Sequence, residues 1–252
     1  MKVLVTVKPV ADPNTAPSAW IASQEGKEEG VNFVANYFDL IAVEQAIRLR
    51  DIGVEEICLL SVTEESKMAQ IRSAIAMGAD RSILIDAEGK KLDWYQIASA
   101  FKAVIEREKP DFVLMGKQAT DDDASQVGPI LAHMLGWPQV TFVSELEFNA
   151  DKTRAKVGRE TDEGVEVLDV ALPAIITCDL RLNEPRYATL PNLIKSKKKP
   201  VEWIKYSELG GPGDAKVSVV SYSIPPGRGG ECMMVADANE LVATLKSKKL
   251  VD

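Results

Sequence analysis

The sequence has few of the residues from which catalytic and metal sites are usually built. His133 is its only histidine, which excludes a metal site made of several histidines and leaves few ways to pair a nucleophile with a base. The three cysteines, at positions 58, 178 and 232, show no CxxC spacing, so neither a disulfide framework nor a zinc site is indicated. We therefore expect no metal ligands and no catalytic residues in this chain, and a packing role for His133 on a partly buried helix face.

Positive charge and long apolar runs are also scarce. The chain carries 30 lysines and arginines against 38 aspartates and glutamates, which argues against a nucleic-acid partner because phosphate backbones require a basic surface. No apolar run approaches the length of a membrane span, so we expect no direct membrane insertion. The first residues, Met1–Val5, lead directly into a strand pattern rather than a signal or transit peptide, which predicts a cytoplasmic protein or the mature form of an organelle-matrix protein.

What the sequence does contain is an alternation of short apolar stretches with amphipathic ones. The apolar stretches at 3–7, 56–62, 81–85 and 112–116 predict buried strands, and those at 40–50, 63–77, 92–108 and 129–135 predict helices. Asp39 and Thr63 are the expected N-caps of the first two helices. A strand at 140–148, an antiparallel hairpin with an acidic turn at 160–164 and a central strand at 173–178 follow. The alternation predicts an α/β fold, with a Rossmann-like parallel sheet and helices on both faces.

We predict two parts of the chain, divided after residue 209. Residues 1–209 form the α/β domain, and residues 210–252 form a linker and a helix at 237–248 that packs on another subunit or folds back on its own domain. The long polar stretch from Asp12 to about residue 29 suggests a functional or partner-facing loop. At 184–200, prolines frame apolar Leu190, Leu193 and Ile194 beside lysines, which is typical of a partner-docking segment or of a short helix that covers the core.

The loop Gly116–Gly128 lies between a predicted strand and a predicted helix, and it matches neither a Walker sequence nor GxGxxG. The first turn of a helix offers unpaired N–H groups and the positive end of the macrodipole, so this arrangement predicts an anion site. The run Asp121–Asp123 suits acceptors for ribose hydroxyls or an adenine amino group, or it only caps the helix. Because ligands of parallel sheets bind at the carboxyl ends of the strands, we expect the loop to meet Thr6–Lys8, Asn36–Asp39 and Ser61–Val62 in a nucleotide site.

Several stretches of the sequence resemble the small, or beta, subunit of electron transfer flavoprotein. They are Ala76–Arg81, Gly116–Asp123, the run Val157–Gly164 that leads to Leu172–Thr177, and Leu182–Pro191. The resemblance covers essentially the whole chain. It implies a heterodimer in which a larger alpha subunit carries the redox FAD, while this chain adopts a fold of the adenine nucleotide alpha hydrolase type, binds a structural AMP and carries no chemistry of its own.

The resemblance also implies which residues bind the cofactors. Phe38 would lie close to the FAD of the alpha subunit, whereas at Pro13 the family often has an aromatic residue that this chain lacks. The implied cofactor-binding residues are Thr6, Asn36, Tyr37, Phe38, Asp39, Val62, Ala119, Thr120, Asp121, Asp122, Asp123, Ala124, Ser125, Gln126, Val127, Gly128, Pro129 and Ile130.

By the same resemblance, one segment anchors the complex on its redox partners. A flavoenzyme of the acyl-CoA dehydrogenase type would dock there, with Leu190 as the apolar anchor, and electrons would pass on through a quinone oxidoreductase towards the respiratory chain. Glu160 would pair with the alpha subunit and restrain the motion of the flavin domain. The implied partner-binding residues are Glu160, Ala188, Thr189, Leu190, Pro191, Asn192, Leu193, Ile194 and Lys195.

Two alternatives stay open. In the electron-bifurcating type of the family a second FAD replaces the AMP, and that type tends to have Asp-Gly-Asp where this chain has Asp121–Asp123. The bulkier Asp122 favours AMP, although Val127–Pro129 is reminiscent of the bifurcating type. Outside the family, the alternation and the loop would also suit a stand-alone nucleotide-binding stress protein, which would need neither the proline-framed segment nor the terminal helix.

Overall fold

The computed structural model describes residues 1–24, 27, 30–210, 213–224, 226 and 232–251. Internal contacts divide the chain into two units, Met1–Val220 and Ser221–Asp252. The predicted division lay after residue 209. The segment beyond it belongs to the first unit because the backbone N–H of Val217 donates to the Asp93 carboxylate, over 2.9 Å. The two predicted glycine- and proline-rich linkers, at 210–213 and 225–230, lie partly outside the described residues.

The first unit is built on one sheet of nine strands, in the order β11-β5-β4-β1-β6-β10-β7-β8-β9. Neighbouring strands from β11 to β7 run parallel, whereas β8 and β9 form the antiparallel hairpin that the sequence predicted. Two further strands, β2 and β3, pair with each other alone. The strands are β1 (Lys2–Thr6), β2 (Pro9–Ala11), β3 (Phe33–Ala35), β4 (Glu56–Val62), β5 (Arg81–Asp86), β6 (Phe112–Gly116), β7 (Gln139–Phe148), β8 (Arg154–Thr161), β9 (Gly164–Ala171), β10 (Ile175–Cys178) and β11 (Val201–Lys205).

Helices cover both faces of this sheet. They are α1 (Pro17–Gln24), α2 (Tyr37–Arg48), α3 (Met68–Met77), α4 (Trp94–Glu108), α5 (Val127–Leu135), α6 (Leu190–Ser196) and, in the second unit, α7 (Ala238–Ser247). Successive side chains of a strand point to opposite faces, and β1 shows the consequence: Val3 and Val5 pack with α2 and α3, whereas Leu4 packs with α4 and α5. The structure therefore confirms the predicted α/β fold with two helical layers. Among the described residues, no helix is both long and apolar enough to span a bilayer.

The predicted starts of three helices are wrong. Asp39 lies in the first turn of α2 rather than before it, and its carboxylate bonds to distant backbone instead. Thr63 is followed by a 3-10 turn before α3 begins at Met68. The aspartate run does not cap α5, because that helix begins at Val127 and its N-cap, Gln126, makes no side-chain cap bond. His133 is exposed on α5 rather than packed.

Other differences concern short elements. The polar stretch after Asp12 is not a plain loop, since it contains α1, although residues 25, 26, 28 and 29 are outside the described part. The strand β11 was not predicted, and it covers β5 at one edge of the sheet. At the other edge, β9 pairs with β8 and with no other described strand, and its Val165 and Val167 are about half exposed.

In the described part of the second unit, the regular element is the helix α7. Asp237 caps this helix, accepting a hydrogen bond from the backbone N–H of Glu240 over 2.9 Å. None of the helix residues is buried, and Leu241 and Val242 are exposed. The predicted terminal helix is therefore present, and the described residues of its own unit do not cover its apolar side chains.

Candidate functional site

One cleft lies where the order of the parallel strands reverses. From β1 the chain continues to β4 and β5 on one side, then returns to β6 on the other side of β1. In open α/β sheets the crevice at such a switch point, outside the carboxyl ends of the strands, is the usual ligand site. Here it holds about 890 Å³ of empty space, including its opening to solvent. Each of the four stretches that the sequence placed together, at Thr6–Lys8, Asn36–Asp39, Ser61–Val62 and the loop after Met115, contributes lining residues, although Ser61 is not one of them.

The deep part of the cleft is apolar. Its walls are formed by Val62 and Met115 at the ends of β4 and β6, by Leu92 just before α4, and by Ile97 and Phe101 on α4. A slot of this kind accepts the flat faces of an aromatic ring system. The helix residues among them were missed at the sequence level because an apolar residue facing a cleft has the same periodicity as one facing the core.

The mouth of the cleft is formed by the loop after β6 and the start of α5. Asp123 and Ser125 take left-handed backbone conformations, with φ of 54° and 52°, and these turn the loop towards the helix. Gln126, Val127 and Gly128 then present the first turn of α5 to the cleft. Helix N-termini attract anions through their unpaired N–H groups and the macrodipole, so the mouth can hold a negatively charged group.

The three consecutive aspartates do not oppose an anion as strongly as their charge suggests. The Lys8 ammonium pairs with Asp121 at 2.8 Å and with Asp122 at 3.1 Å. The Trp94 indole N–H also donates to Asp122, over 3.1 Å. Although burial acts against it, the Lys8 charge lowers the pKa of Asp122. Lys8 thus compensates part of the negative charge, and Trp94 is a site residue for which the sequence offered no signal.

The N-terminal turn of α2 holds the two loops of the cleft together. The Asn36 amide donates to the Gln118 carbonyl over 2.8 Å, and its oxygen accepts from the Thr120 N–H over 3.3 Å. The two oxygens of Asp39 accept from the backbone N–H groups of Lys8, over 2.8 Å, and Gly116, over 3.0 Å. Burial raises the pKa of this carboxyl group to about 7, although these hydrogen bonds act in the opposite direction.

Gly116 is required for this arrangement. A Cβ atom at this position would overlap with the Asp39 Oδ1 atom and lie 2.9 Å from the Asp39 backbone nitrogen and 2.8 Å from the Phe38 Cβ. Backbone atoms cannot move away as a flexible side chain can. The close approach of β6 to the first turn of α2 therefore depends on glycine here.

Eleven of the eighteen predicted cofactor-binding residues line the cleft, and seven do not. Tyr37 is half exposed, and Ile130, on α5, is partly buried against the core cluster that contains residues of α4 and α5. The Thr120 hydroxyl oxygen is buried and has no hydrogen-bond partner among the described residues, although it does not line the cleft. Those lining it are Thr6, Asn36, Asp39, Val62, Ala119, Asp122, Ala124, Ser125, Gln126, Val127 and Gly128; the others are Tyr37, Phe38, Thr120, Asp121, Asp123, Pro129 and Ile130. The other lining residues fall into two groups. Five lie in stretches that the position of the strand ends placed at the site, although the resemblance did not name them: Val7, Lys8, Gly116, Lys117 and Gln118. Seven were not predicted at the site: Ala87, Lys90, Leu92, Trp94, Ile97, Phe101 and Met115.

A second, more open cleft lies beside the hairpin of β8 and β9. Lys117 borders both clefts, and in the second one its ammonium pairs with Asp179 at 2.8 Å. The same ammonium lies 4.7 Å from the ring centroid of Phe142 and 5.4 Å from that of Phe38. Glu160, a predicted partner-binding residue, lines this cleft and pairs with Arg181.

The predicted partner-binding segment forms α6 and the residues before it. Thr189 caps this helix by accepting from the Asn192 N–H over 3.4 Å. Leu190 is 71% exposed and Ile194 58%, so both side chains point away from the core. The segment is therefore the short helix that the sequence left open, but Leu190 and Ile194 do not cover the core, and Leu193 is only partly buried. Elsewhere in the described chain, no cluster of three or more His, Cys, Asp or Glu could hold a metal ion.

These features define a doubly wound α/β protein with a cleft at the switch point and an exposed apolar helix. Within that class, the family model described as "Electron transfer flavoprotein domain" matches residues 27–209. The chain is 44% identical over 250 residues to the human electron transfer flavoprotein subunit beta. This alignment covers 98% of the present chain and 97% of the relative.

Two further relatives carry the same description. The Bradyrhizobium diazoefficiens subunit beta is 42% identical over 249 residues, covering 98% of each chain. The Arabidopsis thaliana subunit beta, whose name adds "mitochondrial", is 37% identical over 249 residues, again covering 98% of each. The chain therefore belongs to the electron transfer flavoprotein family, and it is similar to the beta subunits over nearly its whole length. The resemblance stated from the sequence is confirmed.

Proposed function

We propose that this beta-type chain holds a structural AMP in the switch-point cleft and carries no catalytic residues of its own. The observation that supports this most is the division of the cleft into an apolar slot and a mouth formed by the first turn of α5. The slot suits adenine, and the N–H groups at the helix start suit a phosphate group. The residues that would hold the nucleotide are those of the mouth and of the slot, with Asn36 and Asp39 fixing the loops around it.

AMP is favoured over a second FAD by the position of Asp122. Its carboxylate is held on one side by Lys8 and on another by Trp94, so three side chains converge at the mouth. A dinucleotide would extend past the phosphate loop and would have to displace this group. A nucleoside monophosphate ends at the start of α5 and does not.

The test is to purify the chain with its partner subunit, denature the complex and identify the released nucleotides by chromatography and mass spectrometry. We expect one AMP and one FAD per heterodimer, with the FAD held mainly by the alpha subunit. Two flavins per heterodimer would favour the bifurcating type instead. A chain that purifies alone and monodisperse, without a flavoprotein partner, would favour the stand-alone nucleotide-binding protein.

We further propose that α6 and its flanks dock flavoenzymes of the acyl-CoA dehydrogenase type, and that a quinone oxidoreductase accepts the electrons. Exposed Leu190 supports this, because burying one such side chain contributes roughly 1.5 to 3 kcal/mol, which suits a transient contact. The bacterial cytoplasm or an organelle matrix is the expected location.

The substitution Leu190→Ala tests docking. It should raise the KM for the complex as electron acceptor of such a dehydrogenase by roughly tenfold or more, while the heterodimer and its flavin content stay intact. Ile52→Ala removes another exposed apolar side chain, 41% accessible and outside the segment, and should leave the KM unchanged. Loss of flavin from the Leu190 variant would contradict a docking role.

A further inference from the structure

The exposed helix α6 lies between two short stretches that are fixed to the body of the protein. Residues 183–186, here called the first foot, bond to α2, and residues 196–199, the second foot, bond to α3 and the turn after it. Between them, Tyr187 is 96% exposed and Leu190 71%. The two feet therefore fix both ends of this segment, and between them Leu193 is only partly buried.

The first foot is centred on a buried carboxylate of α2. The Glu44 side chain is only 3% exposed. The Arg186 guanidinium donates to both of its oxygens, over 2.6 Å and 3.0 Å, and the Arg186 backbone N–H donates over 3.3 Å. Arg48 adds a further hydrogen bond of 2.8 Å from the next turn of the helix. A buried carboxylate that is paired bidentately in this way fixes both the position and the direction of its partner.

Neighbouring bonds extend the same attachment along α2. The Asn183 amide donates to the Ile41 carbonyl and to the Gln45 side-chain oxygen, each over 3.1 Å. The Arg48 guanidinium also reaches the Glu184 carbonyl over 3.3 Å. The first foot is thus bound over more than one helical turn, with Glu44 at its centre.

The second foot is held by α3. Arg72 donates to the Ser196 carbonyl, at the end of α6, and to the Lys199 carbonyl over 3.3 Å. Ser196 itself is buried, and the Lys199 ammonium donates to the Ala79 carbonyl. Both ends of the exposed segment are therefore tied by arginine and lysine bonds to the helices that cover one face of the sheet.

We propose that Glu44 is a positioning residue for partner docking: by fixing Arg186 at the first foot, it presets the conformation in which Leu190 meets the partner. The inference rests on the proposed docking role of α6. A segment already held in its bound conformation loses less conformational entropy on binding than a mobile one, and the difference is expressed in affinity.

The chemistry of Glu44 is specific to a carboxylate. Although burial acts against it, the hydrogen bonds from Arg186 and Arg48 lower the pKa of Glu44, so the group is ionised at neutral pH. The variant Glu44→Gln keeps the shape of the side chain but replaces one acceptor oxygen with an NH2 group. That group would face the guanidinium of Arg186 or Arg48 donor to donor, and one of the two pairings would be lost.

The experiment compares purified heterodimers that carry Glu44→Gln, Leu190→Ala or Glu55→Gln, the last at an ion-pairing carboxylate that is 89% exposed. Amide hydrogen exchange of residues 187–199 is measured without a dehydrogenase, and KM and kcat are measured with an acyl-CoA dehydrogenase. We expect Glu44→Gln to speed the exchange at least tenfold and to raise KM about five- to fiftyfold, with kcat within twofold and with flavin and nucleotide contents unchanged. Leu190→Ala should raise KM without changing the exchange, and Glu55→Gln should change neither.

If Glu44→Gln leaves the amide exchange unchanged, the positioning role of Glu44 is overturned. The same holds if Glu44→Gln leaves KM unchanged while Leu190→Ala raises KM, and in both cases the docking role of α6 still stands. A silent Leu190→Ala would overturn the docking role of α6. Loss of flavin or a fall in kcat in Glu44→Gln would show that Glu44 supports the whole fold, which also contradicts the proposal. If Glu44→Gln does not fold, Arg186→Lys, at a side chain that is 47% exposed, keeps the charge, removes the bidentate geometry and should act in the same direction.

Discussion

At the scale of single residues, Asp39 connects the two halves of the sheet at the cleft. One oxygen accepts from Lys8, two residues after β1 ends, and the other from Gly116 at the end of β6, so the carboxyl group bridges the switch point. The sequence placed Asp39 in the site through its position and through the family resemblance, but it assigned the side chain to a helix cap. The local pattern could not reveal the true partners, because Lys8 and Gly116 are distant from it in the chain.

The raised pKa of Asp39 predicts a pH-dependent stability. Burial raises it from 3.8 to about 7 in the folded chain, so between these values the folded state holds a proton that the unfolded state has lost. The free energy of unfolding should therefore fall as the pH rises from about 4 to 7, by on the order of 4 kcal/mol in total, and level off above.

The variant Asp39→Asn cannot titrate, so it should lack this trend. Urea denaturation of the full-length chain between pH 4.5 and 8 should show wild-type stability declining relative to the variant as the pH rises. Asp162→Asn, at an exposed position in the hairpin turn, is the control. A difference between wild type and Asp39→Asn that is flat, or that grows with pH, would contradict a proton held by Asp39.

At the scale of elements, the sequence predicted best where burial is complete. The bounds of β4 and β6 match their apolar stretches because both strands are buried on both faces. A strand of this kind is a short, continuous apolar run in the sequence, and its ends are easy to recognise. The sequence did not indicate β11, a strand in which only Ile204 is buried. For α6 it left open whether the segment is a docking loop or a short helix. In both, the decisive contacts come from distant residues, such as β5 for the strand and Arg72 for the helix.

The cap of α4 gives a prediction at this scale. One oxygen of Asp93 accepts from the Gln96 N–H over 2.8 Å, and the other accepts from the N–H groups of Lys216 and Val217. Asp93→Ala removes both functions, whereas Asp93→Asn keeps an oxygen for the helix cap and loses the second acceptor. The two variants therefore separate the cap from the attachment of the chain at 213–217.

We expect Asp93→Ala to lower the free energy of unfolding by about 1 to 2 kcal/mol, with Asp93→Asn closer to wild type. Both should speed amide exchange at 216–217. Urea denaturation and hydrogen exchange measured on the same samples check this. Equal stability losses in the two variants would show that the cap contributes little, and slow exchange at 216–217 in both would contradict the attachment.

At the scale of the whole molecule, the first unit should fold without the second. Its core clusters lie within Met1–Val220, and α7 contributes no buried residue. A chain that ends after Val220 should keep the helical circular dichroism of the first unit and its urea midpoint, to within roughly 0.5 kcal/mol. A chain that ends after residue 209 should be less stable, because Asp93 then loses its contacts with Lys216 and Val217.

The same truncation tests the role predicted for the terminal helix. If α7 packs on the alpha subunit, the chain that ends after Val220 should assemble weakly or not at all when it is co-expressed with that subunit, as seen by size-exclusion chromatography. Full assembly of the truncated chain would contradict the role. The sequence could place this helix from its cap and periodicity, but what it packs against is not encoded locally.

The open edge at β9 has a consequence for handling the protein. The backbone of β9 on its outer side is not paired with any described strand, and its valines are half exposed, so this edge can associate with the edge of another molecule. Electrostatic repulsion opposes this association, because the overall charge is -8 and Glu163, Glu166 and Asp169 lie nearby in the chain. Added salt screens that repulsion over a distance of about 10 Å at 0.1 M and leaves the apolar attraction in place. Ionic strength then sets the colloidal stability of the chain when it is prepared without a partner, because salt removes the repulsion that keeps these edges apart.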